Sequence, residues 1–232
     1  MKNSLRYPHL LRADILRGLT DDAKLQFLDN CVMRNFDQVT PILSQGEPVA
    51  GLYIVAHGAV EITGINTDGQ TVLIHLSRQG EIFGDVEVLS EKPAAATCTA
   101  MANTVVLFYA KQHLLEAIKS STFMRNIFTL TYDRLVRDNR VKFVDQFYPV
   151  DQRLCDYLHR LSADRPEISK TQADLAGLLG CARQTLNREL GRLRDQNIIQ
   201  MEKGKIRVTE RQGLYRQATK GDAIYQIYKS SA

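Results

Sequence analysis

The chain has 232 residues, a formal net charge of +4 and an apolar content of 44%, which is ordinary for a soluble protein of two domains or one large one. No uninterrupted apolar run approaches the ~20 residues that a membrane-spanning helix needs. The first residues lack the apolar core and the small-residue cleavage site of a signal peptide. These features argue against an integral membrane protein and predict a cytoplasmic protein with no membrane partner.

The N-terminal segment, residues 1–35, is predicted to be helical. Apolar residues recur in it at roughly helical spacing, at Leu11, Ile15, Leu19, Leu25 and Leu28. Thr20 precedes two aspartates, which is typical of a helix N-cap followed by an acidic first turn. We therefore expect a helix to begin directly after Thr20.

The pattern changes between Phe36 and Tyr109, where short apolar runs alternate with turns that contain glycine. The tetrapeptide Asn-Thr-Asp-Gly at 66–69 lies between two strand-like runs and is a hairpin signal. Many short strands punctuated in this way predict an antiparallel barrel or roll.

The segment from Lys111 to Phe147 contains no glycine or proline and is predicted to be helical. A partly apolar stripe runs along it, at Met124, Ile127, Phe128, Thr131, Leu135 and Val136. Such a stripe fits a seam between two copies of the chain, and it also fits a helix packed along its own barrel. Pro149 then ends the helix and provides a natural hinge between the two halves.

The segment from Ile168 to Leu193 predicts two helices joined by a tight turn at Gly180, because glycine enters a sharply turned conformation at little cost. The inner stripes are Leu175, Ala176 and Leu179 in the first helix and Leu186, Leu190 and Leu193 in the second. An arc of the second helix that packing does not use carries Arg183, Gln184, Asn187 and Arg188. These side-chain types hydrogen-bond base edges in a major groove, whereas an ordinary helical hairpin in a core has no need of them. The motif therefore predicts sequence-specific binding of double-stranded DNA.

A two-stranded wing is predicted after this motif, over Ile198–Met201 and Lys205–Val208. Its basic residues, suited to contacts with the phosphate backbone, are Lys203, Lys205 and Arg207. Residues 149–232 hold 15 Lys and Arg against 10 Asp and Glu, whereas the rest of the chain is nearly balanced. The basic half is thus the half with the two-helix motif, as expected for a region that binds a polyanion.

The four cysteines show no CxxC or other metal-ligand spacing, so a structural zinc or four-cysteine iron–sulfur site has no local support. They stand at Cys31, Cys98, Cys155 and Cys181. We expect reduced, mostly buried thiols that act as small apolar side chains. A redox role at Cys181, directly after the turn of the DNA-reading motif, is the alternative.

Three segments of the chain resemble the bacterial cyclic-AMP receptor and fumarate–nitrate reductase regulator (CRP/FNR) superfamily. The most specific is GCARQTLNRELGRLRDQNII, and the other two are GEPVAGLYIVAHGAV and GEIFGDVEVL. The resemblance implies an α+β fold: a cyclic-nucleotide-binding-like β-roll (jelly roll) with N-terminal helices over 1–110, a long dimerisation helix over 111–148, and a winged helix-turn-helix over 149–232. It also implies a homodimeric transcriptional regulator on a near-palindromic operator, with RNA polymerase as a partner if the protein is an activator.

The family's DNA contacts fall on specific residues of this chain. Arg183, Gln184 and Arg188 stand where the family reads bases, and Asn187 replaces a small residue and adds a contact. Gln184 stands where the family usually has Glu, so a preference for adenine over cytosine is expected at that base pair. The residues that match family phosphate contacts or basic wing positions are Thr171, Thr185, Lys203 and Lys205.

The effector pocket departs from the family pattern. Cyclic-nucleotide binders carry Gly-Glu, a short loop and Arg-Ser-Ala, in which the arginine neutralises the cyclic phosphate. The corresponding residues here are Gly84, Asp85, Ala94, Ala95, Ala96 and Thr97. Ala94 and Ala95 replace the arginine and serine and cannot supply a charge-assisted hydrogen bond. We therefore expect cyclic AMP to bind weakly or not in the usual manner, and no cofactor or effector is identified.

Other functions have less support in the sequence. The oxygen-sensing branch needs an N-terminal cysteine cluster, and only Cys31 lies there. For an axial haem ligand, His75 lies in a predicted strand, and Cys98 and His113 are unpaired in sequence. Asp85 and Glu87 could be an acid–base pair, but no catalytic motif accompanies them, so an enzyme is not expected. A ligand-binding module whose winged domain contacts protein remains an alternative that salt-dependent DNA binding would exclude.

Overall fold

The computed structural model describes residues 1–65, 71–163, 166–168, 170–202 and 204–220. The chain divides into two compact units, Met1–Arg134 and Leu135–Ala232, and the division falls inside one long helix. None of the helices in the described ranges is both long and apolar enough to cross a membrane. Each unit has its own hydrophobic core.

The first unit contains a roll of eight strands. The strands are β1 (Val32–Phe36), β2 (Thr40–Leu43), β3 (Gly51–His57), β4 (Val60–Ile65), β5 (Thr71–Ser77), β6 (Ile82–Phe83), β7 (Thr97–Ala100) and β8 (Thr104–Ala110). They form two antiparallel sheets in the orders β1-β8-β3-β6 and β2-β7-β4-β5. The hairpin predicted at 66–69 lies outside the described residues, although β4 and β5 on either side of it pair with Ile65 opposite Thr71.

Strand β3 is buried on both faces, because its side chains point alternately to the two faces of the sheet and both faces are covered. Tyr53 and Val55 point to the core between the two sheets, whereas Leu52, Ile54 and Ala56 point to the other face. On that other face the sheet is covered by the helices of the unit. The continuous apolar run therefore contributes to two cores, and the β1-β8-β3-β6 sheet is the middle layer, between the helices and the second sheet.

The helices of the first unit are mostly short. They are α1 (Asn3–Arg6), two 3-10 turns (Pro8–Arg12 and Asp14–Leu16), α2 (Asp21–Asp29), α3 (Asp85–Ser90) and α4 (Lys111–Ala117). The Thr20 cap is present, since its Oγ1 accepts a hydrogen bond from the Ala23 amide at 3.3 Å. The helical prediction ends too late, because Val32–Phe36 is strand β1, which pairs with β8 from Val32–Phe108 to Phe36–Thr104. Pairing with a strand some seventy residues away leaves no local signal in the helical pattern.

The long helix α5 (Ser121–Phe147) is separate from α4. The uniform helical pattern from Lys111 onward did not show this break. Ser120 lies between the two helices, and its Oγ accepts a hydrogen bond from the Phe123 amide at 3.4 Å. Serine favours such N-cap positions, so it starts a new helix where the pattern suggested a continuous one.

The second unit contains the C-terminal part of α5 and a winged helical domain. Its remaining elements are α6 (Val150–Leu161), β9 (Glu167–Ile168), α7 (Gln172–Leu178), α8 (Arg183–Asp195), β10 (Ile199–Glu202), β11 (Lys205–Val208) and α9 (Arg211–Ala218). The three strands form one antiparallel sheet in the order β10-β11-β9. Pro149 is the N-cap of α6, as its fixed φ of −65° allows.

Candidate nucleic-acid interface and effector pocket

Helix α8 has one buried and one exposed face. Its inner face is formed by Leu186, Leu190 and Leu193, each 0% exposed. The side chains on the opposite arc are all exposed: Arg183, Gln184, Asn187 and Arg188. Three buried leucines contribute several kcal/mol at about 1.5–3 kcal/mol each, so the orientation of the helix about its axis is fixed by packing. The four polar residues predicted to read bases therefore share one solvent-facing edge.

The turn before α8 is held from two sides. Gly180 has a φ of +56°, a left-handed conformation that glycine adopts without strain. The Cys181 amide donates to the Ala176 carbonyl at 3.0 Å, which closes the end of α7. On α6, Arg153 donates a hydrogen bond to the Leu179 carbonyl. The angle between α7 and α8 thus depends on α6 as well as on the turn.

Glu189 is a residue of the candidate interface that sequence reasoning missed. It lies on α8 next to Arg188, and the residue is only 8% exposed. Its carboxylate accepts from Arg188 Nε at 3.1 Å and from Arg192 Nε at 3.0 Å. This bond uses Nε of Arg188 and leaves its two terminal nitrogens without a hydrogen bond to any described residue. The spacing of Glu189 and Arg192, three residues apart on a helix, was the available signal.

This contact belongs to a longer chain of hydrogen bonds. Arg192 Nη1 donates to Gln217 Oε1 at 2.6 Å, and Gln217 Nε2 donates to Gln196 Oε1 at 2.5 Å. Gln217 lies on α9, so the side chain of a predicted base-reading residue is connected to the last described helix.

The basic side chains of the wing, Lys205 and Arg207, lie beside the carboxylate of Glu167 on β9. Arg207 donates to Glu167 at 2.5 Å, and Lys205 Nζ lies 3.5 Å from the same carboxylate. The hydrogen bond from Arg207, helped by the charge of Lys205, lowers the pKa of Glu167. Lys203, the other predicted basic residue of the wing, lies outside the described residues. Of the predicted phosphate contacts on the helical part, Thr171 is exposed and Thr185 is half-buried.

The segment that corresponds to the family's phosphate cassette is held against residues 46–47 by backbone hydrogen bonds. Ala94 is 3% exposed; its amide donates to the Glu47 carbonyl and its carbonyl accepts from the Gly46 amide, both at 2.8 Å. Ala95 is exposed, and its amide lies 3.5 Å from the carboxylate of Glu87. Of the other pocket residues, Ala96 and Thr97 are half-buried. A phosphate here would meet a carboxylate and no arginine side chain from the cassette.

Asp85, the retained carboxylate of the cassette, is already bound. Gly84 before it has a φ of +80° and caps α3. Asp85 is 0% exposed, and it accepts from Arg134 Nη1 at 3.0 Å and from Nη2 at 2.6 Å. A bidentate pair of this kind is among the strongest neutralising contacts available to a buried carboxylate. Sequence reasoning placed Arg134 off the apolar stripe of α5 and gave no partner for it.

The described part of the chain contains no cluster of side chains suited to binding a metal ion, and three of its four cysteines are buried. Burial raises the pKa of the thiols of Cys31, Cys98 and Cys155 to about 12, and only Cys181 is half-exposed. His75 is paired with Glu81 at 2.6 Å. Among the described residues, no group of three or more His, Cys, Asp or Glu side chains could hold a metal ion.

The apolar stripe predicted for α5 divides between two faces: Ile127 is buried, whereas Phe128 and Leu135 are exposed. Phe123 and Tyr132, which were not part of the predicted stripe, lie with the buried and the exposed group respectively. Phe123 and Ile127 are 2% and 4% exposed and pack into the core of the first unit. Phe128, Tyr132 and Leu135 are 66%, 58% and 57% exposed. Their spacing of four and then three residues places them on one side of the helix, as in a coiled-coil seam.

Comparisons with known proteins give the same two-part division. Residues 33–121 match the family described as "Cyclic nucleotide-binding domain", and residues 152–217 match "Crp-like helix-turn-helix domain". The cyclic AMP receptor protein of Thermus thermophilus is 26% identical over 180 residues, which cover 76% of this chain and 83% of that protein. The cAMP-activated global transcriptional regulator Vfr of Pseudomonas aeruginosa is 26% identical over 209 residues, covering 82% and 97%.

A solved structure shows the same fold. A transcriptional regulator of the CRP/FNR family from Thermus thermophilus aligns with a TM-score of 0.65 at 19% identity, covering 81% of this chain and 98% of that one. The roll, the long helix and the winged helix-turn-helix therefore occur together in proteins with little sequence in common with this one.

Proposed function

Since the chain belongs to the CRP/FNR superfamily of DNA-binding transcriptional regulators, we propose that it acts as a homodimer, in the cytoplasm, on a near-palindromic DNA operator. Each copy inserts the exposed edge of α8 into a major groove. Two-fold symmetry then sets the two half-sites one helical turn apart, ~34 Å between centres. If the protein activates transcription, RNA polymerase is its further partner.

The observation that carries this proposal is the contrast between the two faces of α8. Leu186, Leu190 and Leu193 fix the helix in the domain, while Arg183, Gln184, Asn187 and Arg188 face solvent without a packing role. Arg188 suits guanine through O6 and N7, and Gln184 suits adenine. Thr171, Thr185, Lys203 and Lys205 contact phosphates and set the register. A phosphate would also compete with Glu167 for the wing cations.

The homodimer is supported by the exposed apolar side of α5. Tyr132→Lys and Leu135→Lys each place a charge in this seam, and we expect monomers by analytical ultracentrifugation. Asp133→Lys is the matched control, since Asp133 is exposed on another side of the same helix and its replacement leaves the dimer intact. A wild-type chain that sediments as a monomer at micromolar concentration contradicts the dimer.

The effector domain does not bind cyclic AMP in the usual manner. Ala94 and Ala95 provide no cation, Asp85 is bound to Arg134, and Glu87 lies beside the amide of Ala95. Isothermal calorimetry with cyclic AMP is expected to give no saturable heat at micromolar concentrations. Tight binding would overturn this part of the proposal and leave the DNA-binding part standing.

Selection of genome fragments by the purified protein tests the DNA-binding proposal. Enrichment of a palindrome without additives indicates a regulator that is competent without added ligand, and enrichment only with a cell-metabolite extract indicates a sensing domain. Gln184→Glu is the diagnostic variant, because it should shift preference at one base pair per half-site from adenine towards cytosine. Affinity should also fall steeply with salt, since phosphate contacts release counterions. No enrichment under either condition contradicts the proposal.

A further inference from the structure

A cavity of about 270 Å³ opens in the first unit, and none of its lining residues belongs to the segment from Gly84 to Thr97. Its walls come from α2, the end of β8, α4 and the start of α5. Three aromatic rings form much of the wall: Phe27, Tyr109 and Phe123. The ring centroids of Phe27 and Tyr109 are 4.2 Å apart, and those of Phe27 and Phe123 are 5.7 Å apart. The cavity is therefore a separate feature from the closed cassette.

One polar group in this wall makes no hydrogen bond to the described residues and is free to meet a ligand. Tyr109 is 5% exposed and lines the cavity, and its hydroxyl takes part in no hydrogen bond with any described residue. The hydroxyl oxygen is not one of the solvent-inaccessible polar atoms that lack a partner among the described residues, so it is open to water and can exchange that water for a ligand group. Burial also raises the pKa of Tyr109 to about 12, so the hydroxyl stays protonated and can both donate and accept. The cavity thus presents one hydrogen-bonding group within an aromatic wall.

The lining of the cavity offers no free cation to an anionic ligand, because the nearby Lys119 is paired with Glu116. No lysine or arginine is among its lining residues, and the acidic residue there is Glu116, at the exposed rim. The other polar groups of the lining are the neutral amides of Gln26 and Asn30, the hydroxyl of Ser120 and His113. The His113 ring lies 5.6 Å from that of Tyr109. Anionic ligands such as cyclic nucleotides find no neutralising partner in this lining.

We propose that this cavity binds a small neutral aromatic compound whose one hydrogen-bonding group pairs with the Tyr109 hydroxyl. An apolar cavity of about 150 Å³ already holds benzene, so this volume has room for one or two fused rings. Ring faces pack against the aromatic wall in the offset or edge-to-face arrangements that aromatic pairs prefer. The compound also contacts Phe123 in the first turn of α5, so its binding site includes the long helix.

Indole is the probe for this site, because the chain contains no tryptophan and indole emission therefore reports on the ligand alone. Titration of indole with the full-length protein should give a saturable blue shift and a rise in anisotropy. Indole-3-acetate, an anion of the same ring system, should bind at least tenfold more weakly. Failure of indole to bind saturably up to its solubility limit overturns the proposal.

Two variants and one control locate the bound ring. Tyr109→Phe keeps the ring and removes the hydroxyl, and it should lower the affinity about 3- to 10-fold. Ala117→Phe fills the cavity and should abolish saturable binding. Leu115→Phe adds an aromatic ring at an exposed position of the same helix that does not line the cavity, and it should leave affinity unchanged. Equal affinity in the wild type and Ala117→Phe overturns the site, and equal affinity in Tyr109→Phe overturns the role of the hydroxyl. Tyr109→Phe removes only an oxygen, so it is the informative variant if Ala117→Phe does not fold.

Discussion

The buried pair between Asp85 and Arg134 gives a sharp prediction about the stability of the first unit. Arg134→Met leaves a fully buried carboxylate without a counter-charge, and removing one partner of such a pair costs about 3–5 kcal/mol. Asp85→Asn leaves the cation unpaired instead. The Arg134 side chain is 28% exposed and can turn towards water, so this change should cost less, about 1–2 kcal/mol.

The order of these two costs is the direct consequence of the structure, since only the carboxylate is inaccessible to solvent. Urea denaturation followed by circular dichroism measures both, with an unchanged m-value showing that stability alone has changed. The double variant Asp85→Asn/Arg134→Met should recover part of the loss seen in Arg134→Met, because the buried charge is absent.

An exposed pair with the same shortest N–O distance provides the control. Lys119 Nζ lies 2.6 Å from the Glu116 carboxylate, the same distance as the shorter contact of the buried pair, but both of its side chains are more than 70% exposed. Lys119→Met should therefore cost less than about 1 kcal/mol. If Arg134→Met costs no more than Lys119→Met, the ion pair does not hold α5 against the roll and the reasoning from burial is refuted.

Three further predictions concern the second unit. Arg188→Ala should cost ~1–3 kcal/mol at one base pair per half-site, and Glu189→Leu should weaken preference at the same pair because Arg188 loses its acceptor. Cys181 should be alkylated first at mildly alkaline pH, since burial raises the pKa of the other three thiols to about 12. Burial lowers the pKa of His159, and the positive charge of Arg211 lowers it further. The unfolded chain thus binds the proton more readily, so stability should fall as the pH drops below about 6.5.

The predictions for Glu189, Cys181 and His159 each have a further variant or comparison. Glu189→Gln keeps an acceptor for Arg188 and should retain more of the base preference than Glu189→Leu; a uniform loss over all bases in both variants would contradict positioning. Operator DNA should slow alkylation of Cys181, which is read by mass spectrometry of the labelled peptides, and equally fast labelling of Cys155 would contradict the burial argument. His159→Gln should flatten the pH dependence of the urea midpoint below about pH 6.5. If the midpoint of this variant still falls with pH as steeply as in the wild type, His159 is not the source of the dependence.

The sequence by itself determined the elements that depend on local periodicity. The buried leucines of α8 recur at helical spacing, the Thr20 cap needs only its own first turn, and Gly180 marks a turn by its conformational freedom. The exposed edge at Arg183–Arg188 follows directly, because residues off the apolar stripe of a helix must face another way.

Only the tertiary structure decided which distant residues meet. Asp85 and Arg134 are 49 positions apart, and strand β1 pairs with β8 across the whole roll, so neither contact has a local pattern. The closure of the cassette by Ala94 depends on backbone pairing with Glu47. Such contacts arise because chain segments remote in sequence close over one core, and hydrophobic burial, which is non-directional, does not specify them residue by residue. The sequence therefore predicted the exposed polar edge of α8, whereas the occupied carboxylate and the aromatic cavity required the packed structure.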